Sequence, residues 1–224
     1  MVEVGPGKGA LTEPLLARAQ RVIAIEVDPP LIHYLQQKFR EPIELGRLTL
    51  VEGDVLKTPL DSWGRAVIAG NLPYYITSPI LEAVFRIGQN WVRGVFLVQA
   101  EVAQRITAKP GSRDYGYLSV LAQAHARASI LVEVPRGAFH PPPKVDSAAV
   151  VLEPLDSAKE FGIEDRAEFL KFASNCFRMK RKTLRNNLSP FFGKEALDGL
   201  EEGRLRAEQM GIPELAALHR KLKA

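Results

Sequence analysis

The chain has 224 residues and one cysteine, Cys176. A single thiol closes no internal disulfide, so packing must hold the fold, and a reducing, cytoplasmic compartment is expected. Histidine is also scarce. The four, at positions 33, 125, 140 and 219, show no Cys/His spacing that would build a metal centre, and no metal is expected. No apolar run approaches the roughly 20 residues that a spanning helix needs, so no membrane partner is expected. The opening "MVEVGPGKG" lacks the basic-then-apolar pattern of a secretory leader. Internal repeats and low-complexity tracts are absent too. What is present is an apolar fraction of 46%, enough for a real core. A net charge of +4 and a pI near 9.2 lean mildly towards a polyanionic partner.

The first two-thirds alternate strand-like runs ("VEVG", "RVIAIEV", "LTLVEGD", "AVIAGN", "GVFLVQ") with helix-like ones ("ALTEPLLARA", "PPLIHYLQQKF", "SPILEAVFRIG", "EVAQRITA", "YLSVLAQAHA"). That alternation predicts an α/β fold, a parallel-rich Rossmann-like sheet with helices on both faces. "ASILVEV" and "SAAVVLEPL" close the series as strands close in sequence, and a late antiparallel strand is expected there. Beyond about residue 155 the strands stop. "LDSAKEFGIEDR" reads as a linker, and "AEFLKFASNCF", "KRKTLRNNL", "KEALDGL" and "PELAALHRKLK" read as helices. The expected division is a catalytic domain over 1–155 and a small all-helical domain over 156–224.

Gly5, Gly7 and Gly9 separate the first strand from the first helix. Glycines there let the backbone turn sharply and approach a ligand closely. A tight turn with no ligand would account for them alone. Glu26, ending the second strand, argues otherwise, because a carboxylate at that spacing can accept hydrogen bonds from ribose hydroxyls. A dinucleotide such as NAD fits the loop and the acid equally well. Asp54, after the third strand, can accept from the exocyclic amine of an adenine.

The fourth strand delivers "NLPYYIT". An adenine N6 amine is a poor nucleophile because its lone pair is delocalised into the ring. Two acceptors on its N–H groups would draw the nitrogen towards tetrahedral geometry. The Asn71 side-chain oxygen is one acceptor and the Leu72 carbonyl the second. Pro73 restricts Leu72 to an extended conformation, and Tyr74 offers a stacking face. Tyr75 has no evident role beyond packing.

At this point the chain resembles the S-adenosylmethionine-dependent rRNA adenine N6,N6-dimethyltransferases of the small-subunit (KsgA/RsmA) type. "EVGPGKGALT", "NLPYYIT", "VQAEVAQRITAKPGSRDYGYLSVLAQ", "FHPPPKVDS" and "FRMKRKTLRNNL" are similar to motifs of that family, and the resemblance runs over nearly the whole of this chain. The resemblance implies S-adenosyl-L-methionine as cofactor, held by Glu3, Gly5, Gly7, Gly9, Glu26, Asp54 and Asn71. It implies a catalytic loop of Asn71, Leu72, Pro73 and Tyr74. It implies dimethylation of two adjacent adenosines near the 3′ end of small-subunit (16S) rRNA in an immature 30S particle, by a monomer. Two departures stand out. Lys180 occupies a place where the family usually has arginine, which loses bidentate geometry towards phosphate. The family's upstream segment, with a Gln-(His/Asn)-Phe stretch that covers the cofactor, is also missing, so weakened cofactor binding and reduced activity are expected.

From Cys176 to Lys194 there are six cations and no acids. Arg178, Lys180, Arg181, Lys182 and Arg185 are expected on RNA phosphates, with the interleaved phenylalanines mostly core. Phe139 is a candidate either to sandwich an extruded base opposite Tyr74 or simply to pack in the core, and Lys109, Arg113 and Tyr115 are further candidate RNA contacts. Two alternatives stay open: an NAD-dependent oxidoreductase, which leaves "NLPY" unexplained, and a non-catalytic RNA-binding assembly factor on the same fold.

Overall fold

The computed structural model describes residues 1–223. The chain runs β1 (Val2–Val4), α1 (Thr12–Leu16), β2 (Val22–Glu26), α2 (Pro29–Lys38), α3 (Arg40–Glu44), β3 (Leu48–Glu52) and β4 (Ala66–Asn71). There follow α4 (Thr77–Arg86), β5 (Trp91–Gln99), α5 (Ala100–Thr107), α6 (Tyr117–Gln123), β6 (Ala126–Val134) and β7 (Ser147–Pro154). The remainder is helical among the described residues: α7 (Ser157–Phe161), α8 (Arg166–Cys176), α9 (Leu184–Phe192), α10 (Glu195–Asp198) and α11 (Ile212–Lys223), with short 3₁₀ turns between.

The strands form one seven-stranded sheet in the order β3-β2-β1-β4-β5-β7-β6. The first five are parallel, and β7 runs antiparallel to β5, from Gly94 against Leu152 to Gln99 against Ser147. Every residue of β1 and β2 is buried, as expected of parallel strands covered on both faces. Under α1 and α2, Leu16, Val22, Ala24, Leu35, Phe39 and Leu48 pack together. Each large aliphatic side chain buried in this way contributes about 1.5–3 kcal/mol. On α4, Ile80, Leu81, Val84 and Phe85 recur at helical spacing and are buried, so the helix that follows the "NLPYYI" loop is anchored along its length.

By contacts the chain separates into two units. One comprises Met1–Ala103 with Ser129–Pro154; the other comprises Gln104–Ala128 with the chain from Leu155 onward. The helical unit therefore takes in residues 104–128, which the sequence pattern grouped with the sheet. The reason is packing. Tyr115, Val120 and Ala124 are buried in one cluster with Phe169, Phe172, Leu184, Leu188 and Leu215.

Two segments differ from expectation. The stretch read as a linker contains α7, started by Asp156, whose carboxylate accepts from the backbone N–H of Ala158 at 3.1 Å. It is stopped by Gly162 at φ 65°, and Leu155, Ser157 and Ile163 are buried around it. The cationic "KRKT" is not helical. Arg181 and Lys182 both donate backbone N–H groups to the Met179 carbonyl at 3.1 Å, a turn that ends at an extended Thr183 before α9 begins.

Candidate active site

The carboxyl ends of β1, β2, β3 and β4 share one edge of the sheet, because the four strands are parallel neighbours. After β1 the chain turns through Gly5, Gly7 and Gly9, all at positive φ. The Gly5 N–H donates to the Ile25 carbonyl at 3.0 Å, which ties the loop to β2. At Gly7, a Cβ would have no atom within 4 Å, so this part of the loop is an open backbone cradle. Gly9 has a different job. A Cβ there would lie 2.4 Å from the ring of Phe39, the residue after α2, so glycine is needed for that ring to close over the loop.

Glu26 is 7% exposed and braces this loop. Its Oε2 accepts from the Gly7 N–H at 3.1 Å, and its Oε1 accepts from Val27 and Asp28 at 2.9 and 3.1 Å. A carboxylate has about four lone-pair positions, so it retains capacity for a ligand hydroxyl. Its backbone carbonyl accepts from Gly53 at 2.9 Å, which draws the end of β3 beside it. Next in the chain, Asp54 accepts from the Leu56 N–H through Oδ1 at 2.9 Å, and Oδ2 has no partner among the described residues.

Asn71 ends β4, exposed, with its side-chain amide in no hydrogen bond among the described residues. The backbone around it is fixed. Leu72 is 1% exposed and its N–H donates to the Leu97 carbonyl at 3.0 Å. Pro73, at φ −59° and ψ 127°, accepts at its carbonyl from Ile76 N–H at 3.1 Å and from the Thr77 hydroxyl at 3.2 Å. The half-buried Tyr74 shares a 2.6 Å hydrogen bond between its hydroxyl and that of Ser147. Tyr75 is 85% exposed and packs nothing, because the 3₁₀ turn Tyr74–Ile76 points adjacent residues in different directions. Phe139 is half-buried and extended in the loop before β7.

In the helical unit, Arg178, Lys180, Arg181 and Lys182 are exposed, and none takes part in an ion pair among the described residues. Arg185 differs, its guanidinium paired with Asp198. Of the phenylalanines, Phe192 packs edge-on to Phe172 at 6.0 Å and Phe177 to Tyr115 at 6.1 Å, whereas Phe191 is 48% exposed with Arg178 5.9 Å from its ring centroid. Tyr115 is 4% exposed and so is a core residue rather than an RNA contact; Lys109 and Arg113 are exposed.

A family model described as ribosomal RNA adenine dimethylase matches residues 1–213. The chain belongs to the ribosomal RNA adenine dimethylase family. It is 44% identical over 236 residues to the ribosomal RNA small subunit methyltransferase A of Acidobacterium capsulatum, covering 100% of this chain and 81% of that protein. To the protein of the same name from Geobacter metallireducens it is 38% identical over 239 residues, covering 100% and 85%. Among solved structures, a dimethyladenosine transferase from Plasmodium falciparum superposes with a TM-score of 0.81 at 26% identity, over 99% of this chain and 87% of that one. The 23S rRNA methyltransferase ErmE gives 0.67 at 25% identity, over 100% and 90%. Membership of the adenine dimethylases sets aside the dehydrogenase alternative.

Two residues of this dimethylase, Ser147 and Asn187, gain a role from the structure that the sequence pattern did not signal, and a third, Glu3, gains its surroundings. Glu3 sits inside the all-buried β1, 1% exposed, with neither carboxyl oxygen in a hydrogen bond to protein, and the Thr12 hydroxyl beside it on α1 is likewise unpartnered. Burial pushes the Glu3 carboxyl above the usual carboxylate range. Ser147 holds Tyr74. Asn187, 1% exposed, pins the cationic turn: its oxygen accepts from Met179 N–H at 2.9 Å, and its amide donates to the Cys176 and Met179 carbonyls at 2.8 and 3.3 Å. Of the three, only Glu3 carried a signal, as the acid just before the glycine loop.

Proposed function

We infer that this chain transfers methyl groups from S-adenosylmethionine to N6 of two adjacent adenosines near the 3′ end of small-subunit rRNA. It acts on an immature 30S particle, as a cytoplasmic monomer. The observation that carries the reading is Asn71, an unpartnered amide at the strand end between the glycine cradle and a tyrosine locked in place by Ser147.

The residues present fit the cofactor. Gly7 leaves an open cradle, Asp54 has a free carboxylate oxygen, and Glu3 is a buried acid whose two oxygens lack protein partners. Glu26 would take the ribose hydroxyls, Asp54 the adenine amine, and Glu3, with the loop of Gly5 and Gly7, the amino-acid end. Gly9 supports from behind, through Phe39. When bound, S-adenosylmethionine supplies a methyl group on a sulfonium.

The protein's task is to present the amine. Asn71 Oδ1 and the Leu72 carbonyl accept from the two N6 hydrogens and localise the lone pair on nitrogen. Pro73 holds that carbonyl in an extended segment already tied to β5 at Leu97. Tyr74 stacks on the base, its ring angle set by Ser147, while Phe139 is placed in the loop that could cover the opposite face. Acceptors aligned in advance act on the transition state rather than on ground-state binding. A base already carrying one methyl group keeps one N6 hydrogen, so a single acceptor must serve the second transfer. In the helical unit, Arg178, Lys180, Arg181 and Lys182 offer uncommitted charge to RNA phosphates.

The test is mass spectrometry of rRNA from immature small subunits incubated with labelled methyl donor. Dimethyladenosine at two neighbouring positions is expected. In Asn71→Ala, transfer should fall about a hundredfold or more, with affinity for S-adenosylhomocysteine within a few-fold. A wild-type protein that bound both cofactor and particle yet transferred no methyl group would favour the assembly-factor reading instead.

A further inference from the structure

We propose that a cavity between the end of β5 and the start of β7 receives the nucleotide that neighbours the reacting adenosine in the RNA, and that Gln99 reads its base. The proposal rests on the reading of the sheet edge as an adenine N6 methylation site. The cavity measures about 380 Å³ and is lined by Gln99, Glu101, Arg136, Lys144, Val145 and Asp146. That volume is in the range of small-ligand sites, about 300–1,000 Å³.

Topology places it. In the strand order, Gly5, Glu26 and Asp54 stand at the carboxyl ends of β1, β2 and β3 on one side of Asn71, and the cavity lies at β5 and β7 on the other. Asn71 pairs with Leu97 on β5, two residues before Gln99. Gln99 pairs with Ser147, whose hydroxyl bonds Tyr74, so one wall of the cavity adjoins the loop that stacks the target base. The opening lies next along the sheet edge from Asn71, on the side where a strand offering its base there can continue.

The rim is rigid. The Ala100 N–H donates to the Asp146 carbonyl at 2.9 Å, and the Arg136 N–H to the Asp146 carboxylate at 2.9 Å. The functional groups are uncommitted. The Arg136 guanidinium, the Lys144 ammonium and the Gln99 amide have no partner among the described residues, and Val145 is 43% exposed. The chemistry matches a nucleotide part by part: two free cations for phosphate, an apolar side chain for the flat of a base or ribose, and an amide able to pair with adenine at N6 and N7. Glu101 and Asp146 would repel a bare anion, but can accept from an exocyclic amine or a ribose hydroxyl. The groups thus favour a phosphate bearing a base over free phosphate.

The experiment uses the full chain and immature small-subunit particles, wild type or carrying guanosine in place of the adenosine beside the first methylated position. Two variants are compared, Gln99→Ala and the double variant Arg136→Ala/Lys144→Ala. The double variant should raise KM for the particle about tenfold, with unchanged affinity for S-adenosylhomocysteine. Gln99→Ala should shrink the preference for adenosine over guanosine at the neighbour by about 5- to 100-fold. A structural lesion would not move that preference. If the wild type methylates the particle but both variants keep its KM and its neighbour preference, this cavity has no part in substrate recognition and the proposal fails alone. If the wild type transfers no methyl group, the reading beneath it fails and takes the proposal with it.

Discussion

Glu26→Gln tests the cradle most directly, because the substitution keeps shape and removes one acceptor and one charge. In the structure Oε1 receives two backbone N–H groups and Oε2 receives Gly7. A glutamine oxygen would keep the paired position at Val27 and Asp28, which leaves its NH₂ facing the Gly7 N–H, donor against donor. A lost hydrogen bond to a charged acceptor costs about 1.5–3 kcal/mol. For a chain of this size that lowers the melting temperature by roughly 3–12 °C. The same group is assigned the ribose hydroxyls, so affinity for S-adenosylhomocysteine should fall by about 10- to 150-fold. Thermal unfolding by circular dichroism and calorimetric titration read the two effects separately. A variant with wild-type melting and wild-type affinity would mean that the carboxylate neither braces the loop nor meets the cofactor, and the cradle would have to be moved. A loss of stability with unchanged affinity would retain the brace and remove the ribose contact.

Three further outcomes follow from particular groups. His125 is buried on the Leu121 carbonyl at 2.8 Å, and burial, aided by Arg166, pushes its pKa down from 6.5 to about 4. The unfolded chain therefore takes up a proton that the folded one refuses. Stability should be level above pH 6.5 and fall between 6.5 and 4, by roughly 3 kcal/mol in all; urea midpoints against pH for wild type and His125→Gln check it, the variant flattening the slope between pH 6.5 and 5. Asn187→Ala strands the Met179 N–H and the Cys176 carbonyl, and should cost about 2–4 kcal/mol in denaturant melts. It should weaken RNA binding with little effect on cofactor affinity. Replacing Lys180, Arg181 and Lys182 by alanine should leave stability unchanged, since all three are exposed and unpaired. The slope of log affinity against log salt should shrink by about 2, measured by filter binding; an unaltered slope would reduce the turn to solvated surface.

The α/β class, the late antiparallel strand and the convergence on one sheet edge were legible because strand and helix periods differ and glycine, acid and "NLPY" sit at strand ends. What escaped was set by contacts between distant residues. Tyr115 sits among polar neighbours in "SRDYGY", yet its ring meets Phe177 in the core. Phe191 and Phe192 are adjacent and identical in type, and only the helix orientation sends one to solvent and the other onto Phe172. Glu26 was assigned to a ligand alone, because a pattern along the chain carries no sign that a backbone N–H at Gly7 would reach its second oxygen. The linker reading failed on a short helix whose signals, Asp156 before it and Gly162 after it, were in plain view but enclosed only five residues.

The strand order bears on how the protein comes off the ribosome. β5 is made before α5, α6 and β6, but one of its edges is filled by β7, the last strand of the sheet. The segment Gln104–Ala128, made in between, belongs to the other unit. Until Ser147–Pro154 has emerged, the backbone of Gly94–Gln99 stands open on that side, an edge able to pair with any extended chain nearby. Neither unit closes before the other has begun. A nascent chain stopped near residue 128 would carry five paired parallel strands with one edge of β5 unsealed, and the hydroxyl that locks Tyr74 would not yet exist. The loop that carries Asn71 and Tyr74 is thus finished by one of the last parts of the sheet to be synthesised.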